Sequence, residues 1–238
     1  MRRFISAASA PESVIDNGIL VLSPEPMALA RPTAQALSGG GSNEMTNHAI
    51  EATQAGDQDQ TVGAIVMAFG SDPVARWAFP RPQQFLASFP AFIRAFGGAA
   101  FEHGTAHHVE GFSGAALWLP PGAQPDEQAL VSLVEGSVDP ERVPRFFALL
   151  EQMDHFHPTE PHWYLPLIGV DPAEQGRGHG SALLSHALQR VDQDHQPAYL
   201  ESTNPANIPL YERHGFELTG TIEVAGVPPM FPMIRPAR

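Results

Sequence analysis

The chain has 238 residues, 43% of them hydrophobic and 16% charged, with a formal net charge of −13. That balance supports a buried core, excludes a wholly disordered chain, and leaves no apolar run of membrane-spanning length. All 13 basic residues are Arg, and Lys and Cys are absent. This removes lysine-dependent phosphate loops and Schiff bases, thiolate nucleophiles, disulfides and Cys-ligated metals; a net anion without a basic stripe also suits a cationic small molecule better than nucleic acid.

The first 45 residues differ from the rest. Two apolar patches, Phe4-Ile5 and Ile19-Leu20-Val21-Leu22, lie among polar and Pro-rich stretches, and a Gly-rich hinge follows at Gly39-Gly40-Gly41-Ser42. Arg2-Arg3 before Phe4-Ile5 hints at a secretory signal, but Pro11-Glu12 cuts the apolar segment short. We expect a flexible tail over 1–45, an alternative start at Met45, and one domain over 46–238.

Regular patterning begins after Asn47. His48 to Thr53 reads as a strand, and Val62, Ile65, Val66 and Phe69 recur at helical spacing until Ser71-Asp72-Pro73 breaks them. Phe85, Leu86, Phe89, Phe92, Ile93 and Phe96 form a second helical stripe, with a kink expected at Pro90 and a stop at Gly97-Gly98. This stripe suits core packing, or the wall of a substrate pocket. His107-His108-Val109 and Gly114 to Leu119 read as a hairpin turning at Glu110-Gly111. One helix then carries Leu130, Leu133 and Val134. Another is expected to start at Asp139-Pro140 and to carry Val143, Phe146, Phe147, Leu150 and Met153.

The chemistry concentrates in residues 162–216. Trp163 to Val170 is an apolar run of strand length ended by Asp171-Pro172. Next come Gln175-Gly176-Arg177-Gly178-His179-Gly180 and Ser181, and a helix with Leu183, Leu184, Ala187, Leu188 and Val191 on one face. A strand, a Gly-rich loop and a helix start together make an anion site. Glycines let the backbone approach a phosphate, the helix start offers unpaired N–H groups, and Arg177 adds a full charge. The dinucleotide fingerprint fails, because its last glycine position holds Ser181 or Leu183. A second strand spans Ala198 to Thr203, followed by a short helix closed by Gly215 and a strand expected from Phe216 to Val224.

Here the chain resembles the GCN5-related N-acetyltransferases. Gln175, Gly178 and Gly180 carry the first shared motif, and Asn207, Tyr211, Gly215 and Phe216 the second. The similarity extends to Trp163-Tyr164-Leu165 and Leu200-Glu201, as in the branch that acetylates small amines such as puromycin. The resemblance implies an α/β (α+β) fold: a mixed, mostly antiparallel sheet, splayed between two parallel strands and flanked by helices. It also implies acetyl-CoA in the splay, its pantetheine arm on Ile168 and Val170 and its pyrophosphate on the amides of Gln175 to Gly180. Asn207 matches a position whose amide often contacts the CoA arm.

The same resemblance makes Tyr211 the group that protonates or hydrogen-bonds the departing thiolate. A phenol with an ordinary pKa of about 10 keeps its proton at neutral pH. With no Cys for an acetyl-enzyme, direct attack by the amine is the simplest scheme. Glu201, beside the splay, is the candidate base, or else a structural acid paired with an Arg. Tyr164 lies an even number of residues before Ile168 and Val170; we place it on their face of the strand, toward the substrate. Asp154, His155, His157 and His162 invite a metal, but Pro158 and Pro161 interrupt any regular element and the family uses none.

We therefore expect an acetyl-CoA-dependent N-acetyltransferase, without a metal, acting on a primary amine of a small cationic molecule. Its acceptor pocket would be built from residues 69–98 and 120–162. It would be cytoplasmic, monomeric or homodimeric, with no nucleic-acid or membrane partner. The alternatives are a non-catalytic CoA-sensing module, and an acceptor amine on a peptide or protein.

Overall fold

A computed structural model describes residues 49–238, so the expected tail and Met45 lie outside the described residues. Seven strands form one sheet: β1 (Ile50–Ala52), β2 (Ala106–Val109), β3 (Gly114–Leu119), β4 (Trp163–Val170), β5 (Ala198–Ser202), β6 (Glu217–Leu218) and β7 (Phe231–Arg235). Their order is β1-β2-β3-β4-β5-β7-β6, and only β4 and β5 run parallel. The mixed, mostly antiparallel sheet is the one expected.

Helices cover both faces. On one side lie α1 (Gln58–Ala68), α3 (Pro82–Gly97), α5 (Glu127–Ser137) and α6 (Val143–Phe156), and the short α2 (Pro73–Ala78) and α4 (Ala99–Glu102). Ile65, Phe89, Ile93, Leu130 and Phe146 pack there against Leu117, Tyr164, Leu167 and Tyr199 of the sheet. On the other side lie α7 (His179–Gln193) and α8 (Ile208–Arg213). Leu183, Leu184, Leu188, Val191 and Tyr211 pack there against Trp118, Trp163, Leu165 and Leu200. No described helix is long and apolar enough to cross a membrane.

The central event of the fold is in β4. Leu117 pairs with Leu167 and Leu119 with Tyr164, so three steps on β4 oppose two on β3. The extra residue is a β-bulge, and it falls at Leu165-Pro166, where proline has no N–H to give a ladder. Alternation therefore changes phase. Tyr164 packs in the α1/α3/α6 core and Ile168 against the α7 core, which corrects the expectation that the two share a face. Among the described residues β4 pairs with β5 only at Trp163–Ala198 and Tyr164–Tyr199. From Leu165 and Leu200 onward the two strands part, and a gap opens through the sheet.

Other expectations need revision. α6 begins at Val143 rather than at Asp139-Pro140. Asp139 instead pairs with Arg81 (2.7 Å), and its carbonyl accepts from the Arg142 amide (2.8 Å) in a turn ahead of the helix. α3 continues through Pro90 to Gly97. Its rings form a ladder, with centroids 4.8 Å apart for Phe85–Phe89, 5.5 Å for Phe89–Phe92 and 5.2 Å for Phe92–Phe96. The strand expected over Phe216 to Val224 is only two residues long, and β7 inserts between it and β5.

β7 is fixed by Arg235. Its side chain is 2% exposed, yet it donates to both Asp192 oxygens (2.7 and 2.9 Å) and to the His214 carbonyl (2.9 Å). These bonds hold the Asp192 carboxyl below the usual carboxylate range, against the opposing effect of desolvation. Asp192→Ala would strand a buried guanidinium. Asp192 is 38% exposed, so water replaces part of what it gives, and the expected loss is about 1–2 kcal/mol of unfolding free energy, read as a lower urea midpoint; an unchanged midpoint would refute a structural role for the pair.

Candidate active site

The gap continues into a cleft of about 600 Å3 bounded by the free edge of β4, the loop before α7, and α8. Asp171 ends β4 and its carboxylate accepts from the Ala173 amide (2.8 Å), while Gln175 Nε2 donates to the Val170 carbonyl (3.2 Å). Gly176 (φ +78°) and Gly178 (φ +89°) then take left-handed conformations that a side chain would strain. Gly178 caps α7, and the ladder begins with the Ala182 amide donating to the Gly178 carbonyl (2.9 Å). Helix geometry leaves the amides of Gly180 and Ser181 without intrahelical acceptors. A Cβ added at Gly176 would meet nothing within 4 Å, so the cradle is open to a bulky anion.

Of the residues expected at a cofactor, Ile168, Val170, Gln175, Gly176, Gly178, His179, Gly180, Ser181 and Asn207 all line this cleft. Arg177 does not: its guanidinium pairs with Glu174 (2.8 Å) and its side chain is 62% exposed. Arg213, at the end of α8, is the cation in the lining. Nothing in the sequence separates it from an ordinary helix-end arginine complementing the dipole. His214 joins the two helices, donating from Nδ1 to the Leu210 carbonyl (2.9 Å) and accepting at Nε2 from Ser181 Oγ (3.1 Å).

Tyr211 and Glu201 line the same cleft from opposite sides of the sheet. Tyr211 is packed edge-on against Phe216 (6.2 Å) on the α7/α8 side. Burial, and then the negative charge of Asp72, push its phenol well above the ordinary value. Glu201 alternates with Leu200 on β5 and so faces the α3/α6 side with Tyr199. Its side chain is 2% exposed. Tyr164 donates to Glu201 Oε2 (2.8 Å), so the tyrosine expected at the substrate instead buttresses the carboxylate. Burial and that carboxylate raise the Tyr164 phenol well above its usual value.

A second carboxylate was not singled out in the sequence. Asp72 read as a helix breaker; it caps α2, accepting from the amides of Val74 (3.0 Å) and Ala75 (2.9 Å), and Thr203 Oγ1 donates to its other oxygen. Burial nonetheless raises its carboxyl, outweighing those bonds. Asp72, Glu201, Thr203 and Pro166 border both the cleft and a separate apolar cavity of about 70 Å3 walled by Phe79, Phe89, Phe92 and Phe146. The α3 stripe thus supplies both core and cavity wall. Among the described residues no group of three His, Cys, Asp or Glu has an arrangement suited to a metal. His157 and His162 do meet, Nε2 to Nε2, at 3.0 Å.

Comparison with known proteins gives this arrangement a context. Residues 100–216 match the acetyltransferase (GNAT) family. An uncharacterized N-acetyltransferase of Schizosaccharomyces pombe is 29% identical over 188 residues, which cover 71% of this chain and 74% of that protein. A solved Corynebacterium glutamicum structure, described as a histone acetyltransferase and related acetyltransferase, superposes with a TM-score of 0.58 at 25% identity, over 81% of this chain and 98% of that one. The Drosophila melanogaster polyamine N-acetyltransferase shares the fold, with a TM-score of 0.59 at 18% identity over 78% and 98% of the two chains. The sheet that splays beside a glycine-lined helix start is therefore the fold of that family, and residues 100–216 of the chain belong to the acetyltransferase (GNAT) family.

Proposed function

We propose that this protein transfers acetyl from acetyl-CoA directly to a primary amine of a small cationic molecule that carries an apolar body. The observation that carries the reading is the junction of the two cavities, where Asp72 and Glu201 meet the aromatic wall across the gap from Tyr211. GNAT enzymes use acetyl-CoA, which supplies a thioester-activated acetyl group. The cradle fits its diphosphate: the α7 amides and the open space over Gly176 would hold it, with Arg213 as the added cation and Asn207 beside the arm.

The two carboxylates favour an ammonium ion at the junction, in keeping with the acidic chain as a whole. Such an amine has a pKa of about 10 by analogy with Lys, so it must lose a proton before it can attack. Glu201 takes that proton. Tyr211, kept protonated by burial, donates a hydrogen bond or its proton to the departing sulfur. The small Phe-walled cavity suits a compact alkyl or aryl group better than a peptide.

Acetyl-CoA at a hundred times its Kd is expected to stabilise the protein by about 2.7 kcal/mol, a rise of several degrees in Tm. Free-thiol release with a panel of polyamines, aralkylamines, puromycin-like nucleosides and peptides then identifies the acceptor. Absence of a thermal shift would sink the reading. Binding without thiol release across the panel would favour a CoA-sensing module.

A further inference from the structure

His157 and His162 take no part in the scheme above, yet they touch it. His157 caps the end of α6, its amide donating to the Met153 carbonyl (3.0 Å), and Pro158 turns the chain away. Five residues later His162 directly precedes β4. The two rings meet edge to face, with centroids 4.7 Å apart. His157 also contacts the rings of Tyr164 (4.8 Å) and Tyr199 (5.0 Å) edge-on, so aromatic rings fix it beside Glu201.

The hydrogen-bond directions are determined by the acceptors. His162 Nδ1 lies 2.7 Å from the Glu160 carbonyl, which can only accept, so Nδ1 carries a proton. Burial lowers the His162 pKa below its ordinary value, so the ring rests neutral and its Nε2 is an acceptor. His157 Nε2, 3.0 Å away, must then donate. In a neutral His157 this leaves Nδ1 bare. That atom has no hydrogen-bond partner among the described residues, and it faces Glu201 Oε1 at 3.8 Å, a gap that a small ring rotation closes to hydrogen-bond distance. Exposure of the side chains rises outward, from 2% at Glu201 to 13% at His157, and His162 is partly exposed.

We propose that His157 and His162 are a proton relay that carries the proton taken up by Glu201 out of the buried junction to solvent. The inference rests on the reading of Glu201 as the base. Protonated Glu201 gives its proton to His157 Nδ1 and returns to carboxylate. His157 passes its Nε2 proton to His162 Nε2. The resulting His162 imidazolium, partly exposed, breaks its Nδ1–H bond and releases that proton to buffer; His157 is left protonated on Nδ1 and His162 on Nε2, and exchange of ring protons with water restores the starting tautomers. One proton enters from the ammonium and one leaves to solvent, with no other reactant.

The test is chemical rescue in the full-length protein. His162→Gln is expected to lower turnover at least about tenfold in dilute buffer, part of the 10²–10⁴ that general-base catalysis supplies. Millimolar imidazole should restore most of it, while acetyl-CoA affinity and Tm stay near wild type. His157→Gln should behave alike. Turnover within about twofold of wild type, or a loss that imidazole leaves untouched in both variants, overturns the relay and reduces the pair to packing. Failure of the underlying reading looks different: the wild type would then show no acetyl-CoA thermal shift, or Glu201→Gln would keep full turnover.

Discussion

Tyr211→Phe is expected to lower kcat by about 10²-fold or more while leaving acetyl-CoA affinity within about twofold. The substitution removes one oxygen and nothing else. The ring still packs on Phe216 and still fills the α7/α8 core, so the cleft keeps its shape. What disappears is a donor aimed at charge that develops only as the thiolate departs, and such donors act on kcat rather than on ground-state binding. A loss of 10²-fold corresponds to about 2.7 kcal/mol of barrier. The buried phenol also predicts a pH profile. Because burial and the Asp72 carboxylate both disfavour phenolate, the proton stays on through pH 10, and wild-type kcat should show no fall from phenol ionisation up to that pH. Steady-state kinetics with calorimetric binding of acetyl-CoA separates the two effects. A kcat within twofold of wild type would take Tyr211 out of the chemistry.

The parts of this site that the sequence disclosed are those fixed by local rules. A run of strand length, two glycines that must turn left-handed and an amphipathic helix are all contiguous, so the glycine-lined loop from Gln175 to Ser181 at a helix start is legible in the sequence. Tyr211 and Glu201 came from motif order and strand placement, and both line the cleft. The remainder depends on contacts between distant segments. The bulge at Pro166 shifts the phase of β4, and strict alternation cannot reveal an inserted residue. β7 contains Pro232 and follows Pro228-Pro229, a composition that argues against a strand; it forms because it closes the β5 edge and buries Arg235 on Asp192. Asp72 caps a six-residue helix in a way its neighbours explain completely, so nothing local marks it as part of a site. His157 and His162 invite a metal in the sequence rather than a pairing with each other, because the turn at Pro158 and Pro161 hides their contact.

Glu201→Gln should cost about 10²–10⁴ in kcat/KM for the amine near neutral pH, with the fold intact. Gln has the same size and keeps an oxygen to accept from the Tyr164 hydroxyl, so the pocket wall survives. It cannot take a proton. The variant then depends on amine already deprotonated in solution, and that fraction rises tenfold per pH unit until the amine pKa of about 10. Its kcat/KM should therefore climb with unit slope up to that pH, and the gap to wild type should narrow as it climbs. A flat variant profile, or one parallel to wild type, would show that Glu201 is not the base. Asp72→Asn provides the contrast. Asp72 already accepts from two amides and from Thr203, which commits it to holding α2 against β5, and its burial works against the charged form. That variant should raise KM for the amine more than it lowers kcat, because the charge it removes holds the ammonium in place without receiving its proton. If instead Asp72→Asn shows the steep pH climb and Glu201→Gln does not, the two carboxylates exchange roles, and the proton leaves the junction without passing through the histidines.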